Sequence, residues 1–382
     1  MKKAIVLGCG QVGQAIVRDL ASDPGFEVTA ADASEAPLRR VEELASVKTR
    51  QVDLSDPKNV RDVVSDFDIV LGALPSRFGF AALQAVIEAK KPYCDISFLP
   101  EDALALDAVA KAADTTAIID SGVSPGMSNL LVGYAEKQMD QAENAVIYVG
   151  GLPKERSWPY QYKAPFAPSD VIEEYTRPAR MIENGSVVVK PALTEPELIE
   201  FPKAGTLEAF NTDGLRTLLT TVKIPNMKEK TLRYPGHIEL MRIFRESGFF
   251  GKEKIEVGGV SISPLDVTSK LLFREWAFEE GEEEFTVMRV QVEGKKGEEG
   301  VRYTYDLYDE YDHASNLASM ARATAFPCTI LARWLSRGDR VEPGVYPLEL
   351  LARKKGVVKL LMDELAARGV TITERIELTS NR

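Results

Sequence analysis

One short stretch near the start of the chain limits its fold more than any other. Residues 4–20, AIVLGCGQVGQAIVRDL, begin with an apolar run and end in a helical pattern, with Gly8, Gly10 and Gly13 between them. The spacing G-x-G-x-x-G after a strand and before a helix is typical of the first turn of a doubly wound α/β sheet. We therefore predict a buried strand before Gly8 and a helix that begins near Gln11.

Each glycine has a separate physical role in that turn. Gly8 permits the tight turn, Gly10 lets a pyrophosphate approach the backbone, and Gly13 lets the helix pack closely. The N–H groups at the start of the helix, around Gln11 and Val12, point toward the phosphates together with the positive end of the helix dipole. The motif therefore predicts a dinucleotide-binding loop.

A carboxylate follows the next predicted strand. The segment FEVTAAD ends at Asp32, about 20 residues after Gly13, as the dinucleotide motif requires. A carboxylate there accepts hydrogen bonds from the ribose hydroxyls of adenosine and repels a 2′-phosphate. Arg39 and Arg40 come later, in the next predicted helix. These residues favour NAD over NADP as the cofactor.

Strands and helices alternate as far as residue 123. Such alternation predicts a mostly parallel, doubly wound Rossmann domain, whose ligands bind at the carboxyl ends of the strands. The strand-end residues predicted to contact ligands are Asp53 and Leu54 near the adenine, Ala73, Leu74 and Pro75 near the diphosphate or ribose, and Asp95 and Asp120.

The pattern changes after residue 123. Residues 124–314 predict an inserted α+β domain, in which EEFTVMRVQVEG and VRYTYDLYDE alternate as a long antiparallel hairpin. We expect the sheet of this domain to be antiparallel. From about residue 315 the chain is helical again, and we predict that residues 315–382 return to the Rossmann domain of residues 1–123.

Composition excludes several classes of function. The chain of 382 residues has a net charge of −11, which disfavours binding to nucleic acid or to a membrane surface. No apolar run approaches the ~18 residues that span a bilayer, and the start of the chain has no signal-peptide pattern, so we expect a cytoplasmic protein. Three scattered cysteines predict reduced thiols, and two histidines without a ligand motif predict no metal site.

Two segments of the inserted region carry candidate catalytic groups. NTDGLRTL contains Arg216, which could clamp a substrate carboxylate; the alternative is a helix cap followed by a surface arginine. TLRYPGHIELMR contains His237, whose ordinary pKa suits proton transfer; the alternative is a histidine that caps the next helix. Lys163 lies among tyrosines and either binds an anion or is solvated.

Five segments resemble those of one family: DSGVSPGMSN, YVGGLP, YTRPA, FNTDGLRTL and TLRYPGHIELMRIFRESGFF. Together they look like the saccharopine dehydrogenase-like family, and the resemblance spans the whole chain. It implies a Rossmann domain completed by a C-terminal return. It also implies that the inserted domain contacts a small amino-acid substrate and forms the interface of a homodimer or larger homo-oligomer.

Within that family the chain looks most like the L-lysine 6-dehydrogenases. Saccharopine reductases have Asp before Pro-Gly and Cys before Gly-Gly-Leu-Pro, where this chain has Ser124 and Val149. The implied reaction is NAD-dependent oxidative deamination of the ε-amino group of L-lysine to 2-aminoadipate 6-semialdehyde and ammonia. The semialdehyde then cyclises to a piperideine carboxylate.

Residue type and motif position assign the roles in that reaction. Arg216 would bind the α-carboxylate, and His237 would transfer a proton or make a second carboxylate contact. Asp95 or Asp120 would meet the α-ammonium or orient the amine. Two alternatives remain open: a saccharopine reductase or carboxynorspermidine dehydrogenase of the same family, and a protein that senses NAD(H) without turnover.

Overall fold

The computed structural model describes residues 1–279, 281–338 and 341–379. The strands are β1 (Lys2–Leu7), β2 (Phe26–Asp32), β3 (Lys48–Gln51), β4 (Ile69–Gly72), β5 (Tyr93–Asp95), β6 (Thr116–Ile119), β7 (Gln141–Pro153), β8 (Ala179–Glu183), β9 (Ser186–Lys190), β10 (Glu197–Phe201), β11 (Gly205–Asn211), β12 (Asn226–Arg233), β13 (Ile255–Val257), β14 (Val260–Ile262), β15 (Glu284–Lys296), β16 (Glu299–Glu310), β17 (Gly344–Pro347) and β18 (Ile372–Thr379). The helices are α1 (Gln11–Ala21), α2 (Glu35–Leu44), α3 (Pro57–Val64), α4 (Ser76–Glu88), α5 (Asp107–Ala112), α6 (Met127–Gln138), α7 (Pro168–Thr176), α8 (Leu218–Thr221), α9 (His237–Glu246), α10 (Pro264–Glu275), α11 (Ser319–Ser336), α12 (Leu348–Leu351) and α13 (Val357–Ala367). The last three residues of the predicted C-terminal return lie outside the described residues.

The chain divides into two compact units, each built from separate chain segments. The first unit contains Met1–Gln138, Arg216–Val222 and Ala321–Ile372. The second contains Met139–Leu215, Lys223–Met320 and the chain from Thr373 onward.

Four segments lie in a different unit from the one predicted. Residues 124–138 and Arg216–Val222 belong to the first unit, although we predicted both within the inserted domain. Helix α6 belongs there because Gly133 packs directly against Glu349 of the first unit. Residues 315–320 belong to the second unit, although we predicted them in the Rossmann domain. The end of the chain was predicted in the Rossmann domain, but β18 pairs with β16 in the sheet of the second unit. The physical reason is that unpaired backbone groups at the sheet edge formed by β16 accept a further strand.

The sheet of the first unit is parallel and doubly wound, as predicted. Over the described residues its order is β3-β2-β1-β4-β5-β6-β17. The order reverses between β1 and β4, which is the point where such sheets bind ligands. Strand β3 ends at Gln51, so Asp53 and Leu54 lie in the loop that follows rather than in the strand.

Apolar runs form the centre of that sheet because helices cover both of its faces. Ala4, Ile5, Val6 and Leu7 of β1 are all fully buried. A strand with one face in water would instead alternate between apolar and polar residues. The short apolar run that precedes Gly8 therefore reflects burial on both sides.

The sheet of the second unit is mixed. Its main path is β10-β11-β12-β7-β15-β16-β18, with β8 pairing β12 and β9. The predicted antiparallel hairpin is confirmed as β15 and β16. The expectation of an antiparallel sheet is wrong for β12 and β7, which run parallel to each other. The long connection between these two strands allows the crossover that parallel pairing requires.

Aromatic side chains fill a core of the second unit beside α7, α9 and α10. Tyr162, Tyr175, Phe210 and Trp276 are buried there together. Tyr162 comes from an irregular segment that contributes to this core although it forms no helix or strand. Of the helices in the described ranges, none combines the length and the apolar character needed to cross a bilayer.

Candidate functional site

The glycine loop lies at the carboxyl end of β1 in the first unit. Gly8 has a φ of +95°, and a Cβ added there would collide with the carbonyl group of Ala73. A Cβ on Gly13 would collide with the carbonyl oxygen of Gly8. A Cβ on Gly10 meets no atom of the described residues within 4 Å. The packing of the protein thus requires Gly8 and Gly13, whereas Gly10 borders open space where a pyrophosphate was predicted.

Helix α1 begins directly after this loop. Gly10 is its N-cap, and no side chain caps it among the described residues. Its first turn contains no acidic residue that would repel an anion. The N–H groups of Gln11 and Val12 have no acceptor within the helix, because they belong to its first turn. The residues present therefore fit a bound phosphate group.

Asp32 lies beside the glycine loop at the end of β2. Its Oδ2 accepts a hydrogen bond from the Cys9 N–H at 2.7 Å, and its Oδ1 accepts one from the Ser34 N–H at 2.8 Å. These bonds fix the orientation of the carboxylate. Each oxygen retains a further lone pair that can accept a ribose hydroxyl.

The other predicted cofactor residues follow β3 and β4. The Ala73 N–H donates to the Leu7 carbonyl oxygen at 2.8 Å, which holds Ala73 against Gly8. Leu74 is buried, and Pro75 is the N-cap of α4. Hydrogen bonds from Ser55 lower the pKa of Asp53, and Leu54 is buried.

Asp95 ends β5 and is fully buried. Its Oδ1 accepts hydrogen bonds from the Tyr93 hydroxyl at 3.2 Å, the Ser97 N–H at 3.1 Å and the Ser97 hydroxyl at 2.8 Å. Its Oδ2 has no hydrogen-bond partner in the described part of the chain. Burial raises the pKa of this carboxyl group to about 6.

Asp120 follows β6, the neighbour of β5, and is 2% exposed. Neither of its carboxyl oxygens has a hydrogen-bond partner among the residues described. Arg216 Nε lies 3.5 Å from Asp120 Oδ1. Burial raises the pKa of Asp120, and the positive charge of Arg216 limits that rise. The negative charge of Asp120 also raises the pKa of Asp95.

Arg216 reaches this edge of the sheet from the short segment that belongs to the first unit. Its guanidinium lies 5.4 Å from the centre of the Phe98 ring, and its Nη1 donates to the Leu99 carbonyl oxygen. Its Nε has no hydrogen-bond partner within the described ranges. Arg216, Asp95 and Asp120 therefore converge at the carboxyl edge, where an arginine and two buried carboxyl groups can meet an amino acid.

His237 lies in the second unit, where it is the first residue of α9 and 2% exposed. Its Nδ1 lies 2.8 Å from the Tyr160 carbonyl oxygen and its Nε2 lies 3.0 Å from the Tyr175 hydroxyl. Because a carbonyl oxygen only accepts, Nδ1 carries the proton and Nε2 accepts from Tyr175. Burial and the nearby Arg233 charge lower the His237 pKa to about 3. These contacts explain His237 structurally, and its proton-transfer role stays a prediction.

An ion pair between the buried Arg233 and the partly buried Glu174 lies next to His237. Arg233 Nη2 donates to Glu174 Oε2 at 2.5 Å, and Arg233 Nε donates to the Tyr175 hydroxyl at 3.1 Å. The guanidinium lies 4.3 Å from the centre of the Tyr162 ring. Burial raises the pKa of Glu174, while Arg233 opposes that rise. We call Tyr162, Glu174, Tyr175, Arg233 and His237 the Arg233 cluster.

Sequence reasoning missed several other buried carboxyl groups, among them Glu229 and Glu349. Burial raises the pKa of Glu229 to about 8 and that of Glu349 to about 6. Neither residue belongs to a motif, and an isolated glutamate usually indicates a solvated position. Lys163 was predicted either to bind an anion or to be solvated. In the structure its Nζ instead pairs with Glu282 at 2.7 Å. Among the described residues no group of three or more His, Cys, Asp or Glu side chains could hold a metal ion.

Two family models match the chain almost from end to end. The saccharopine dehydrogenase NADP binding domain matches residues 4–118. The saccharopine dehydrogenase C-terminal domain matches residues 122–370. The second match alone covers more than half of the chain.

Curated relatives differ in how much of their length the chain spans. It is 26% identical over 237 residues to an alpha-aminoadipic semialdehyde synthase of Arabidopsis thaliana, covering 57% of this chain and 22% of the relative. It is 24% identical over 388 residues to a carboxynorspermidine synthase of Vibrio cholerae, covering 90% and 91% respectively. It is 24% identical to a saccharopine dehydrogenase [NADP(+), L-glutamate-forming] of Pyricularia oryzae, covering 71% and 63%.

A solved structure has the same fold over nearly the whole chain. Apo saccharopine dehydrogenase (L-Glu forming) from Saccharomyces cerevisiae superimposes with a TM-score of 0.80, covering 99% of this chain and 100% of the yeast chain at 17% sequence identity. This match agrees with the parallel sheet of the first unit. Since both family models also match, the chain belongs to the saccharopine dehydrogenase family.

Proposed function

We propose that the protein is an NAD-dependent oxidoreductase that deaminates the ε-amino group of L-lysine. One observation carries this proposal: Arg216, Asp95 and Asp120 converge at the sheet edge that also holds the glycine loop. An amino acid with a second amine presents a carboxylate for the arginine and ammonium groups for the acids. The resemblance also supports lysine over saccharopine, because Ser124 and Val149 stand where it implies an Asp and a Cys in the saccharopine reductases.

The chain supplies binding and proton transfer in this proposal. When bound, NAD provides the hydride acceptor that oxidises the ε-carbon, and water completes the conversion to semialdehyde and ammonia. Arg216 Nε donates to the α-carboxylate of lysine. The unpartnered oxygens of Asp95 and Asp120 hold an ammonium group, or accept the proton that the ε-amine must lose before oxidation.

Asp32 supports NAD as the cofactor. Its carboxylate is fixed beside the glycine loop, and a 2′-phosphate next to it would meet a negative charge. The matched nucleotide-domain family is named for NADP, whereas Asp32 favours NAD. The two cofactors therefore provide a direct test of this residue.

Asp32→Ala is expected to lower kcat/KM for NAD about 10- to 100-fold, while kcat/KM for NADP falls less or rises. The reason is that a hydrogen bond to a charged group contributes about 1.5–3 kcal/mol. Initial rates with both cofactors measure the effect. Glu35→Ala is the control, since Glu35 is exposed and pairs with Arg39 within α2. An unchanged NAD/NADP ratio in Asp32→Ala would refute the assignment.

Amine binding is expected to weaken in acid. The pKa of Asp95 is raised to about 6 and that of Asp120 is also raised, so both groups become protonated as the pH falls. A protonated carboxyl group does not attract an ammonium group, so kcat/KM for lysine should fall about tenfold per pH unit below pH 6 as Asp95 is protonated, and more steeply once Asp120 is protonated as well. Among the described residues, Asp95 is faced by Tyr93, Cys94, Ser97, Asp120 and Cys328. Asp120 is also faced by Arg216 and Glu349.

A kcat/KM profile from about pH 5 to about pH 8 tests this dependence. Asp95→Asn removes the charge and should lower kcat/KM at neutral pH while flattening the acid limb. Asp363→Asn, an exposed acid on α13, is the control. A profile of wild-type protein that stays flat below pH 6 would contradict the role of the two carboxylates.

A second candidate function has one observation in its favour. The match to the Vibrio cholerae carboxynorspermidine synthase spans 91% of that protein, so the two chains correspond over nearly their whole lengths. This supports an enzyme that joins an amine to a carbonyl compound and reduces the product. Such an enzyme would act on a carboxylated polyamine rather than on lysine.

The experiment that separates these functions follows NADH or NADPH with purified protein. L-Lysine is compared with saccharopine, ornithine and carboxynorspermidine, each with NAD and with NADP. The highest kcat/KM for lysine with NAD supports the proposal. Turnover of saccharopine or carboxynorspermidine alone would agree with the family but would refute lysine as the substrate. Tight NADH binding without turnover of any amine favours a sensor.

The family resemblance also leads us to propose a homodimer or a larger homo-oligomer. Light scattering of purified protein at its working concentration tests the assembly. A mass of one chain would refute it.

A further inference from the structure

Glu349 holds the segment that follows Arg216. It lies in α12 and is fully buried. Its Oε1 accepts hydrogen bonds from the Thr217 hydroxyl at 2.6 Å and the Thr221 hydroxyl at 2.7 Å. Arg353 Nη2, just beyond α12, donates to the Thr221 carbonyl oxygen at 2.8 Å. Both ends of α8 are therefore bound to the chain around α12.

Arg216 needs such support from its neighbours. Its φ of +55° lies in the left-handed region, which a residue with a long side chain rarely adopts. Such a conformation persists where the surroundings over-determine it. Thr217, the next residue, is the N-cap of α8 and donates to Glu349. Its hydrogen bond thus restrains the backbone directly after Arg216.

Helix α6 gives Glu349 a rigid base. A Cβ on Gly133 of α6 would lie 2.8 Å from both the Cβ and the carbonyl oxygen of Glu349. The two backbones approach so closely only because residue 133 is a glycine. Close packing of this kind transmits position from one element to another.

We propose that Glu349 is a positioning residue that holds Arg216 where its guanidinium can meet the substrate carboxylate. The inference rests on the proposed function for the identity of that substrate. Glu349 acts through an acceptor oxygen that receives two hydroxyl donors. Because glutamine retains a carbonyl acceptor at Oε1, Glu349→Gln preserves the role and Glu349→Ala abolishes it.

The test compares Glu349→Ala and Glu349→Gln with Arg216→Ala, the double variant Glu349→Ala/Arg216→Ala and the surface control Asp363→Ala. For each variant, kcat and KM for L-lysine, NADH affinity and amide hydrogen exchange over residues 216–222 are measured. Glu349→Ala should raise KM about tenfold with a smaller change in kcat, and Glu349→Gln should restore KM to within about threefold of wild type. The double variant should be no worse than Arg216→Ala, because both changes remove one function.

Amide exchange separates this inference from the proposed function. If wild-type protein does not oxidise lysine, the proposed substrate is wrong, but exchange still tests the role of Glu349. Faster exchange over residues 216–222 in Glu349→Ala, with NADH affinity retained and Glu349→Gln normal, supports the positioning role. Unchanged exchange, or an additive KM effect in the double variant of an active enzyme, overturns it. If Glu349→Ala does not fold, Thr217→Val removes one of the same hydrogen bonds and is measured in its place.

Discussion

Arg216→Ala is expected to destabilise the protein by about 3 kcal/mol and to raise KM for L-lysine at least about tenfold. The Arg216 and Asp120 side chains are 3% and 1% exposed, and removal of one member of a buried pair leaves the other charge uncompensated. The KM effect follows from loss of the donor for the α-carboxylate, and tenfold corresponds to roughly 1.4 kcal/mol. Denaturant unfolding near pH 8 and initial rates measure the two effects.

Two variants separate stability from binding in that experiment. Arg216→Ala/Asp120→Asn removes both charges and should recover part of the lost stability without recovering KM. Arg39→Ala removes an exposed arginine from its pair with Glu35 and should leave both quantities nearly unchanged. A KM increase below about tenfold in Arg216→Ala would refute the clamp. If the double variant is as unstable as Arg216→Ala, the uncompensated charge of Asp120 is not the cause of the lost stability.

Glu174→Ala is expected to cost the second unit about 3–5 kcal/mol of stability. Arg233 is 2% exposed and would lose the carboxylate that lies 2.5 Å from its Nη2. A buried guanidinium without its counter-charge carries a large desolvation cost. Unfolding in guanidinium chloride measures the loss. The fluorescence of Trp276, whose ring centre lies 6.2 Å from that of Tyr175, reports on this unit.

The adjacent glutamate provides the control. Glu173 pairs with Arg177 at 3.4 Å, and its side chain is 32% exposed. Glu173→Ala should therefore cost less than about 1 kcal/mol. The stability lost in Glu174→Gln should lie between the losses of the two alanine variants, because the amide oxygen of glutamine still accepts a hydrogen bond from Arg233. If both alanine variants lose similar stability, burial of the ion pair is not what makes Glu174 important.

Much of the first unit could be predicted because short motifs there determine local geometry. The positive φ of Gly8 and the contact between Gly13 and Gly8 follow from a glycine spacing that other residues cannot satisfy. Asp95 and Asp120 could be predicted together because parallel strands all end at one edge.

Long-range contacts could not be predicted in this way. Arg216 lies just before the short helix α8, and its contact with Asp120 joins distant parts of the chain, which no local periodicity encodes. Glu349 depends on hydroxyl groups more than a hundred residues earlier. The ordinary pKa of histidine suggested proton transfer by His237, whereas burial in the Arg233 cluster lowers its pKa to about 3. Burial of a single polar residue depends on tertiary packing and not on its neighbours in sequence.

The path of the chain has a consequence for building chimeras between members of the family. Six segments alternate between the two units, so the backbone passes from one unit to the other five times. Transplanting residues 139–320 as one block would import a foreign Arg216–Val222 into the first unit of the host. The donor's residues 216–222 would then lie beside residue 349 of the host, and not beside the Glu349 to which they hydrogen-bond in their own protein. A chimera that keeps both units intact retains the host's residues 216–222 and transfers the donor's β18 together with the rest of the second unit.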